Sequence, residues 1–556
     1  MNCLVLYADN GVPPEASSAE KANIAFTSYW NDVKLAQGDR GCCFGDSDGL
    51  SNCRAEITCG GGDTAPTSPT PPTPPPPTAV PVGGTIVVES ETVDGSELPP
   101  NSSVVIRKGA TLTVTSPIFQ ATQIEVFGRL IIHSNTHTIV NRIEVQQSGE
   151  LNIGPNATNV TIELIHADCT SEEIFSDDTA GVRNSECLRS GQLISHGRTS
   201  IHGAPVKSWT LLSANANSGD TSILVEDCTG WAAGNEFVLA YGRGQSYSTK
   251  RKIASIEVAG GSCRVHMTEP LFQVAHAFSG FGDGDPVYPE VLYLHRNVLI
   301  TGLMHNLNAE PRDRQGIVVS QRFTGSFELH NAKVENCGRI FLGEYCVHLH
   351  LMNACPSCKI EGNAVIDGIS KGITVHGTHG ATVHDNVVLD VFGVGIYVEN
   401  GMEYGNTISA NVVGCSSIGG CVCRNCVASQ AFGDDPRQAA MYFKSPRQDF
   451  IGNHAFGALS CLLYEGSNVR TPCTINLPFG RTENNVFHCQ QFGWYPTDAF
   501  PRNVVQSPNG LVEDTSTCSA FYDDGRSNAA EAVILNHTEY DIRDFGVASY
   551  VSFPLS

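Results

Sequence analysis

Imidazole, carboxylate and ammonium side chains recur within short apolar segments between residues 347 and 444. In residues 347–351, whose sequence is VHLHL, aliphatic side chains alternate with His348 and His350. Successive side chains of a strand point to opposite faces, so the aliphatic residues should face a core and both histidines should face outward. The same alternation turns His376 outward in ITVH and Glu399 outward in IYVE. Such groups can transfer protons or ligate a metal ion when a fold brings them together.

If these segments stack as successive coils, one outward column contains His350, His376 and Glu399, with Lys444 as a fourth member. Neighbouring strands lie about 4.8 Å apart, so the column would line one shallow groove. Glu399 is then the candidate general acid or base, and the neighbouring histidines would tune its pKa. Glycoside hydrolysis needs a second carboxylate about 5–9.5 Å away. The candidates for it, which would also contact substrate, are Glu403, Asp434 and Asp435.

Other chemistries remain open for the same residues. In β-elimination from an acidic sugar, Lys444 or a histidine would remove the proton while a cation neutralises the uronate. His348 and Tyr397 are candidate substrate contacts beside the column. His348 and Glu399, with His350, also have donor atoms that suit a divalent metal; calcium is considered as a cofactor, but no metal ligand is assigned. The alternative without chemistry is a plain polar ladder on a solvated face.

Repeats indicate the elements that must position these residues. Aliphatic segments that begin with a glycine recur at Gly109, Gly128 and Gly149, at spacings of 19 and 21 residues. A second series, at spacings of 23 and 25 residues, is centred on Asn363, Asn386 and Asn411. Periods of this length in strand-like sequence predict an all-β, right-handed parallel β-helix, each repeat forming one coil. Asn suits the turns because it tolerates left-handed backbone and its amide can bond to the next coil.

Composition restricts the class of protein. The 556 residues carry 34 Lys+Arg and 57 Asp+Glu, a net charge of −23, which disfavours general binding to nucleic acid. No apolar stretch approaches the roughly 20 residues of a membrane span. The 21 cysteines and four Asn-x-Ser/Thr sequons favour an oxidising, extracellular compartment. The first residues do not resemble a signal peptide, so the chain is expected to be a fragment of a secreted or cell-surface protein.

The predicted organisation has five regions. They are a Cys-rich segment (1–62), a Pro/Thr-rich linker (63–82), a glycine-repeat β domain (83–208), a small antiparallel β-barrel or sandwich insert (209–294) and the β-helix (295–556).

Two further groups are interpreted as structural. Four cysteines of an insert between coils could ligate zinc, although disulfides are the preferred interpretation; they are Cys415, Cys421, Cys423 and Cys426. His202 and Trp231 are expected to pack at a domain junction rather than to act as ligands.

Several motifs resemble one known family, in which an eight-glycine (G-eight) domain precedes parallel β-helix repeats. Residues 84–203 resemble the eight-glycine domain through the Gly-led series and the ending SIHGAPV. Residues 295–500 resemble the family's β-helix through YCVHLHL, GITVHG, VENGME and AAMYF. Fibrocystin-L, the cell-migration-inducing hyaluronan-binding protein and its transmembrane hyaluronidase relative belong to this family.

The resemblance implies an extracellular or cell-surface protein that binds a polysaccharide such as hyaluronan or the glycans of glycoproteins. It leaves glycan degradation, by a hydrolase or a lyase, as an open question and assigns no oligomeric state. The alternative is a non-catalytic structural or adhesion ectodomain similar to fibrocystin-L. No segment resembles the extra globular domain of the hyaluronan-degrading members. This favours similarity to fibrocystin-L over hyaluronidase activity.

Overall fold

The computed structural model describes residues 84–89, 92–165, 189–242, 247–259, 262–278, 286–304, 315–339, 341, 343–417, 421, 439–465, 478–497, 505–506, 512–514, 533–542 and 545–547. All of them belong to one compact unit that spans residues 82–175 and 186–556. The predicted Cys-rich segment 1–62 and the linker 63–82 lie outside the described residues. The described part is built from β-strands, with a 3₁₀ turn at Gly95–Glu97.

The strands before residue 204 form the first coils of a solenoid. They are β1 (Thr85–Val88), β2 (Val93–Asp94), β3 (Ser102–Ile106), β4 (Thr111–Val114), β5 (Ile118–Val126), β6 (Arg129–Ile132), β7 (Thr136–Val145), β8 (Glu150–Ala157), β9 (Val160–Leu164), β10 (Gln192–Ser195) and β11 (Arg198–Gly203). Alternate side chains of β4 and β6 are buried, as the pattern of a strand with one core face requires.

The next six strands leave the solenoid and form a small antiparallel barrel. They are β12 (Trp209–Leu211), β13 (Ser222–Val225), β14 (Glu236–Leu239), β15 (Thr249–Ala259), β16 (Ser262–Met267) and β17 (Glu290–Tyr293). Their order is β12-β17-β14-β15-β16-β13, and an antiparallel bridge between Leu212 and Val225 closes the sheet. Trp231 is buried in the barrel core, where it stacks on Tyr293 at a ring-centroid distance of 5.0 Å.

The remaining strands return to the solenoid. They are β18 (Val298–Thr301), β19 (Val318–Arg322), β20 (Ser326–His330), β21 (Ala332–Cys337), β22 (Val347–Ala354), β23 (Lys359–Glu361), β24 (Ala364–His379), β25 (Thr382–His384), β26 (Val387–Val398), β27 (Thr407–Ser409), β28 (Val412–Gly414), β29 (Ala439–Phe443), β30 (Asp449–Ile451), β31 (His454–Phe456), β32 (Ser460–Glu465), β33 (Thr482–Glu483), β34 (Val486–His488), β35 (Phe492–Thr497), β36 (Val505–Gln506), β37 (Val512–Asp514), β38 (Ile534–Leu535), β39 (Thr538–Glu539) and β40 (Phe545–Val547).

Parallel pairing makes this body a β-helix with three faces. The docking face contains β18, β21, β28, β31, β34 and the first halves of β24 and β26. The histidine face contains β19, β22, β29, β32, β35 and the second halves of β24 and β26. A 12-stranded sheet, which includes β8, β11, β20, β23 and β25, is the third face. The predicted parallel β-helix is confirmed.

The coils before and after the barrel share continuous sheets. Strand β9 pairs with β18, β10 pairs with β19, and β11 pairs with both β8 and β20, all in parallel. Each of the three faces therefore runs without a break from the glycine-repeat region into the later coils. The barrel is an excursion from one solenoid, and the chain resumes stacking where it had stopped.

A ladder of asparagines joins the later coils. Each side-chain Nδ2 donates to the Oδ1 of the next asparagine at 2.9–3.2 Å; the members are Asn363, Asn386, Asn411, Asn453 and Asn485. All five are fully buried, so these bonds satisfy amides that would otherwise be costly in the core. The predicted amide bonding between coils is observed. The left-handed backbone falls on the preceding residue, for example at Asp385 (φ 53°) and Ala410 (φ 51°).

Two glycines of the first series, Gly128 and Gly149, allow coils to approach closely. A Cβ on Gly128 would clash with the carbonyl oxygens of Arg107 and Ala110, and one on Gly149 would clash with that of Val126. Their spacing of 21 residues thus records one coil of the solenoid, and the need for glycine comes from backbone contact between coils.

Disulfides reinforce the described part of the chain. The bonded pairs are Cys228–Cys263, Cys337–Cys346, Cys355–Cys358, Cys415–Cys421 and Cys461–Cys489. Because Cys415 and Cys421 are bonded to each other, they cannot supply two of the four thiolates of a zinc site, and the preferred disulfide interpretation holds for them. Cys423 and Cys426 lie outside the described residues.

The barrel covers the docking face. A shared apolar cluster joins barrel residues such as Val238 and Leu292 to solenoid residues such as Ile366 and Leu389. The Trp209 Nε1–H donates to the Ala410 carbonyl at 2.7 Å. With this face covered, the histidine face and the third face are the solenoid surfaces on which outward side chains can meet a ligand.

Candidate functional site

The histidine face carries an outward column whose members are in register. Strand pairing places Arg322 opposite His350 and His350 opposite His376. The register of β24, β26 and β29 then places Glu399 and Lys444 in the same column. The structure therefore brings together the four residues that the sequence assigned to it, and it adds Arg322 at one end.

Three imidazoles and one carboxylate of this region converge. We call His348, His350, His376 and Glu399 the His/Glu cluster. The Nδ1 atoms of His376 and His350 are 3.1 Å apart, and His376 Nδ1 lies 3.4 Å from Glu399 Oε2. His348 Nε2 lies 4.0 Å from the same oxygen. One ligand atom from each of the three histidines falls within 4.8 Å of the others, so the three imidazoles could share a metal ion.

Neighbouring groups orient two members of the cluster. His348 Nδ1–H donates to the Gly343 carbonyl at 2.9 Å, and the Tyr345 hydroxyl donates to Glu399 Oε1 at 3.3 Å. The other two polar atoms, His348 Nε2 and Glu399 Oε2, are buried and form no hydrogen bond with any described residue. These two atoms lie 4.0 Å apart inside the cluster. Both are therefore available as metal ligands.

Burial differs among the members. His348 points away from the solenoid core, as the alternation predicts, but its side chain is 0% exposed, whereas those of His376 and Glu399 are 14% and 10% exposed. Burial, helped by the neighbouring His376, holds the pKa of His348 well below its usual value. Burial and the same neighbour also lower the pKa of His350. Both imidazoles are therefore neutral at pH 7.

Two predicted substrate contacts, Tyr397 and Glu403, are buried. Tyr397 does face outward but is 6% exposed, and the Lys371 ammonium lies 4.6 Å from its ring centroid. Burial, with Glu399 nearby, raises the pKa of its hydroxyl well above the usual value. Glu403 is fully buried, and its Oε1 accepts from the backbone N–H groups of Gly377 and Asn400, each at 2.8 Å.

The prediction that Glu403 faces the groove is therefore wrong, because this carboxylate holds a turn of the backbone together. Asp434 and Asp435 lie outside the described residues. Lys444 is partly exposed, with its ammonium 5.7 Å from the ring centroid of Tyr442.

A second set of histidines and carboxylates lies on the third face. His202 Nε2–H donates to Glu328 Oε2 at 3.1 Å, and the rings of His202 and His330 stack at 4.4 Å. His330 Nδ1 lies 3.2 Å from Glu361 Oε2. His202 thus packs where the first coils meet the later ones, as expected, although its side chain is 29% exposed. The parallel pairing of β11 with β20, which are far apart in sequence, brings these side chains together.

A third set is enclosed between the barrel and the solenoid. Glu290 of the barrel accepts from His454 Nδ1–H at 2.6 Å and from His488 Nε2–H at 2.9 Å. We call Glu290, His454 and His488 the junction cluster. Although burial opposes ionisation, the two histidines hold the pKa of Glu290 far below its usual value. Sequence reasoning missed this set because Glu290 belongs to the barrel and lies 164 and 198 residues before the two solenoid histidines.

Comparison with known proteins agrees with this architecture. The G8 domain family model matches residues 92–213, and the CEMIP beta-helix model matches residues 316–494. This chain joins a G8 domain to a CEMIP-type β-helix. Mouse fibrocystin-L is 25% identical over 464 residues, which cover 72% of this chain and 10% of that protein. The chain thus spans about a tenth of the length of fibrocystin-L.

Other relatives are similar at the same level. A G8 domain-containing protein of Dictyostelium discoideum is 24% identical over 387 residues, 65% of this chain and 25% of that protein. Among solved structures, the tailspike protein gp49 from Pseudomonas phage LKA1 aligns with 68% of this chain and 55% of its own, at 10% identity and a TM-score of 0.18. All members of the His/Glu cluster lie within the residues that the β-helix family model matches.

Within the described residues, no helical segment has the length and apolar character needed to span a membrane. The five described disulfides fit a chain that folds in an oxidising compartment.

Proposed function

We propose that this G8 and β-helix chain is a secreted or cell-surface protein that binds an acidic polysaccharide, of the hyaluronan type, along the column from Arg322 to Lys444. The observation that carries the proposal is the register of the column, which sets a cation at each end of the His/Glu cluster. Four steps of roughly 4.8 Å give a strip close to 20 Å long, which suits an extended chain better than a small molecule.

The local charge supports an anionic ligand despite the net charge of −23. Arg322 and Lys444 are both partly exposed, so carboxylates of a polysaccharide can reach them. Imidazole edges between them offer donors and acceptors that match sugar hydroxyls. Binding of an anionic ligand depends on the electrostatic field near its site, which Arg322 and Lys444 make more positive. The negative net charge of the protein mainly repels the polysaccharide from other parts of the surface.

Binding without hydrolysis fits the described residues best. Glu399 could serve as a general acid or base, but of its predicted carboxylate partners Glu403 is buried, while Asp434 and Asp435 lie outside the described residues. Hydrolysis needs a second carboxylate on the substrate side. The proposal therefore contains a binding step and no bond cleavage.

The proposal is tested with Arg322→Gln/Lys444→Gln and a matched control, Arg198→Gln/Lys359→Gln, which removes two cations from the third face. Affinity for immobilised hyaluronan is compared with affinity for a neutral polysaccharide. We expect the column variant to lose about tenfold or more in affinity, since two charge-assisted contacts to carboxylates are removed, and the control to match the wild type. Equal affinity of both variants and the wild type would favour the non-catalytic scaffold instead.

Product analysis of the bound polysaccharide addresses cleavage in the same experiment. Unchanged chain length after prolonged incubation is the expected result. Shortened chains that disappear in Glu399→Gln would overturn the binding-only proposal and assign an enzyme.

A further inference from the structure

We propose that the His/Glu cluster binds one divalent transition ion of the zinc type, through His348, His350, His376 and Glu399. The inference concerns the same face as the proposed polysaccharide site and deepens it, but uptake of the ion can be measured without any polysaccharide.

Two pairs of donor atoms already lie at the separation that a metal shell requires. In a tetrahedral zinc site with Zn–N bonds of about 2.0–2.1 Å, ligand atoms are about 3.3 Å apart. Here the Nδ1 atoms of His376 and His350 are 3.1 Å apart, and His376 Nδ1 is 3.4 Å from Glu399 Oε2. The distance from His348 Nε2 to that oxygen is 4.0 Å.

Hydrogen bonds to the remaining atoms fix the ligands in the correct state. The Gly343 carbonyl accepts from His348 Nδ1–H, which leaves the lone pair of Nε2 directed into the cluster. Metal-bound histidines typically have such a partner on the second ring nitrogen. The Tyr345 hydroxyl occupies Glu399 Oε1 and leaves Oε2 for the ion. These contacts orient His348 and Glu399 before any ion binds.

Unsatisfied atoms give independent support. His348 is 0% exposed, yet its Nε2 has no hydrogen-bond partner in the described structure, and neither does Glu399 Oε2. A buried polar atom without a partner costs about 1–3 kcal/mol, so native proteins rarely retain one without a reason. One ion would satisfy both atoms at once.

The donor set selects the kind of ion. Three imidazole nitrogens and one carboxylate oxygen suit Zn²⁺ and its transition-metal neighbours. Calcium takes 6–8 oxygen ligands, so the calcium considered from the sequence does not fit this cluster. Four protein donors close a tetrahedral shell, which is typical of a structural zinc site. Binding of one divalent ion would add two positive charges to the cluster.

That change of charge links the ion to the polysaccharide. Between Arg322 and Lys444, an uncompensated Glu399 carboxylate would repel an acidic chain. An ion in the cluster makes the whole column cationic, and it does so without contacting the polysaccharide. A bound ion should therefore raise the affinity of the column for an acidic polysaccharide.

The test uses the full chain, stripped with a chelator and dialysed against metal-free buffer. Zn²⁺ is titrated calorimetrically, bound metal is counted by elemental analysis, and Co²⁺ is added separately because its visible absorption reports four-coordinate nitrogen and oxygen ligation. We expect one tight equivalent in the wild type. His348→Ala and Glu399→Gln should bind about 100-fold more weakly or not at all, and Tyr345→Phe about tenfold more weakly, as is typical of outer-shell partners.

Two further variants serve as controls. His384→Ala removes a histidine of the third face whose Nδ1 lies 2.9 Å from Ser409 Oγ. This variant should bind Zn²⁺ like the wild type. His202→Ala tests the other histidine set, whose atoms already bond to one another. Loss of the tight equivalent in His202→Ala with its retention in His348→Ala would overturn the assignment, as would the absence of tight binding in the wild type.

Hyaluronan binding is then measured with and without Zn²⁺. Tight metal binding with no hyaluronan binding would support the metal site and contradict the proposed function. Hyaluronan binding without any metal binding would contradict the metal site and retain the proposed function. Circular dichroism of each variant separates lost binding from lost folding.

Discussion

Two clusters of histidine and glutamate in this molecule have nearly the same composition and opposite surroundings. In the junction cluster, both oxygens of Glu290 accept imidazole N–H groups at 2.6 and 2.9 Å, and the carboxylate is 0% exposed. In the His/Glu cluster, Glu399 Oε2 and His348 Nε2 have no hydrogen-bond partner in the described residues. Histidine and glutamate form a structural connection in the first case and an unfilled ligand set in the second.

The difference comes from what covers each cluster. The barrel encloses the junction cluster, with Trp209 4.6 Å from the His454 ring and Tyr540 4.5 Å from the His488 ring, measured between centroids. The apolar contact of the barrel is with docking-face residues such as Ile366 and Leu389, and His376 and Glu399 of the histidine face keep 14% and 10% of their side-chain surface. Residue type therefore does not identify a site here. The carboxylate oxygens separate the two clusters, because both oxygens of Glu290 accept hydrogen bonds, whereas Glu399 Oε2 accepts none from the described residues.

The largest expected effect follows from breaking the junction cluster. Glu290→Gln keeps the shape but removes the charge that two buried histidines share. We expect the free energy of unfolding to fall by about 3–5 kcal/mol, the usual cost of removing one partner of a buried ion pair. Chemical denaturation followed by tryptophan fluorescence measures it, since Trp209 lies at this junction. A loss below about 1 kcal/mol would mean that the junction cluster does not hold the barrel to the solenoid.

The pH dependence of stability sharpens the same point. The histidines keep the pKa of Glu290 far below 4.5 in the folded chain. A lowered folded pKa contributes stability above the unfolded value, and this contribution is lost as the pH falls below about 4.5, at up to about 1.4 kcal/mol per pH unit. Unfolding free energies measured between pH 7 and pH 3 should therefore fall more steeply in the wild type than in Glu290→Gln. Parallel profiles would contradict the lowered pKa.

The sequence predicts the solenoid well because its information is local and periodic. Spacings of 23 and 25 residues between asparagines correspond to single coils, and the bonds from Asn363 to Asn386 to Asn411 confirm them. The Gly128 and Gly149 spacing likewise records contact between coils. Continuity across the barrel was not predictable from such spacing, because the next repeat of β9 is β18, more than 130 residues later.

The column was also accessible to sequence reasoning, since alternation and coil register are both periodic properties. What could not be predicted is the side-chain environment. Glu403 looked like Glu399 in sequence but bonds to backbone N–H groups, and the contact of His202 with Glu328 was not predicted. Nothing in the neighbouring sequence distinguishes these outcomes, because the deciding atoms come from other coils.

A smaller effect is expected from the hydrogen bond that secures the barrel beside the junction cluster. Trp209→Phe keeps an aromatic ring against His454 but removes the donor to the Ala410 carbonyl. We expect a loss of about 1–2 kcal/mol, because a partly buried carbonyl loses its partner. Combination with Glu290→Gln in a double-mutant cycle should reveal a coupling of at least about 0.5 kcal/mol. Strict additivity would show that the Trp209 contact and the junction cluster act independently.

The smallest effect on stability is expected at the other cluster. Glu399→Gln retains an oxygen that can accept from Tyr345 and removes an oxygen that bonds to nothing described. In metal-free buffer the free energy of unfolding should change by less than about 1 kcal/mol, since no satisfied charge pair is broken. Denaturation under the conditions used for Glu290→Gln provides the direct comparison. An equal loss in both variants would show that the two clusters are the same kind of structural network.

Added metal should reverse that similarity between wild type and Glu399→Gln. A ligand that binds only the folded chain stabilises it by about 2.7 kcal/mol when its concentration is 100 times the dissociation constant. Zn²⁺ should therefore raise the denaturation midpoint of the wild type and leave that of Glu399→Gln nearly unchanged. In Glu290→Gln the shift should persist, because the junction cluster lies outside the ligand set. A midpoint shift that follows Glu290 instead of Glu399 would place the bound ion at the junction and invert the roles of the two clusters.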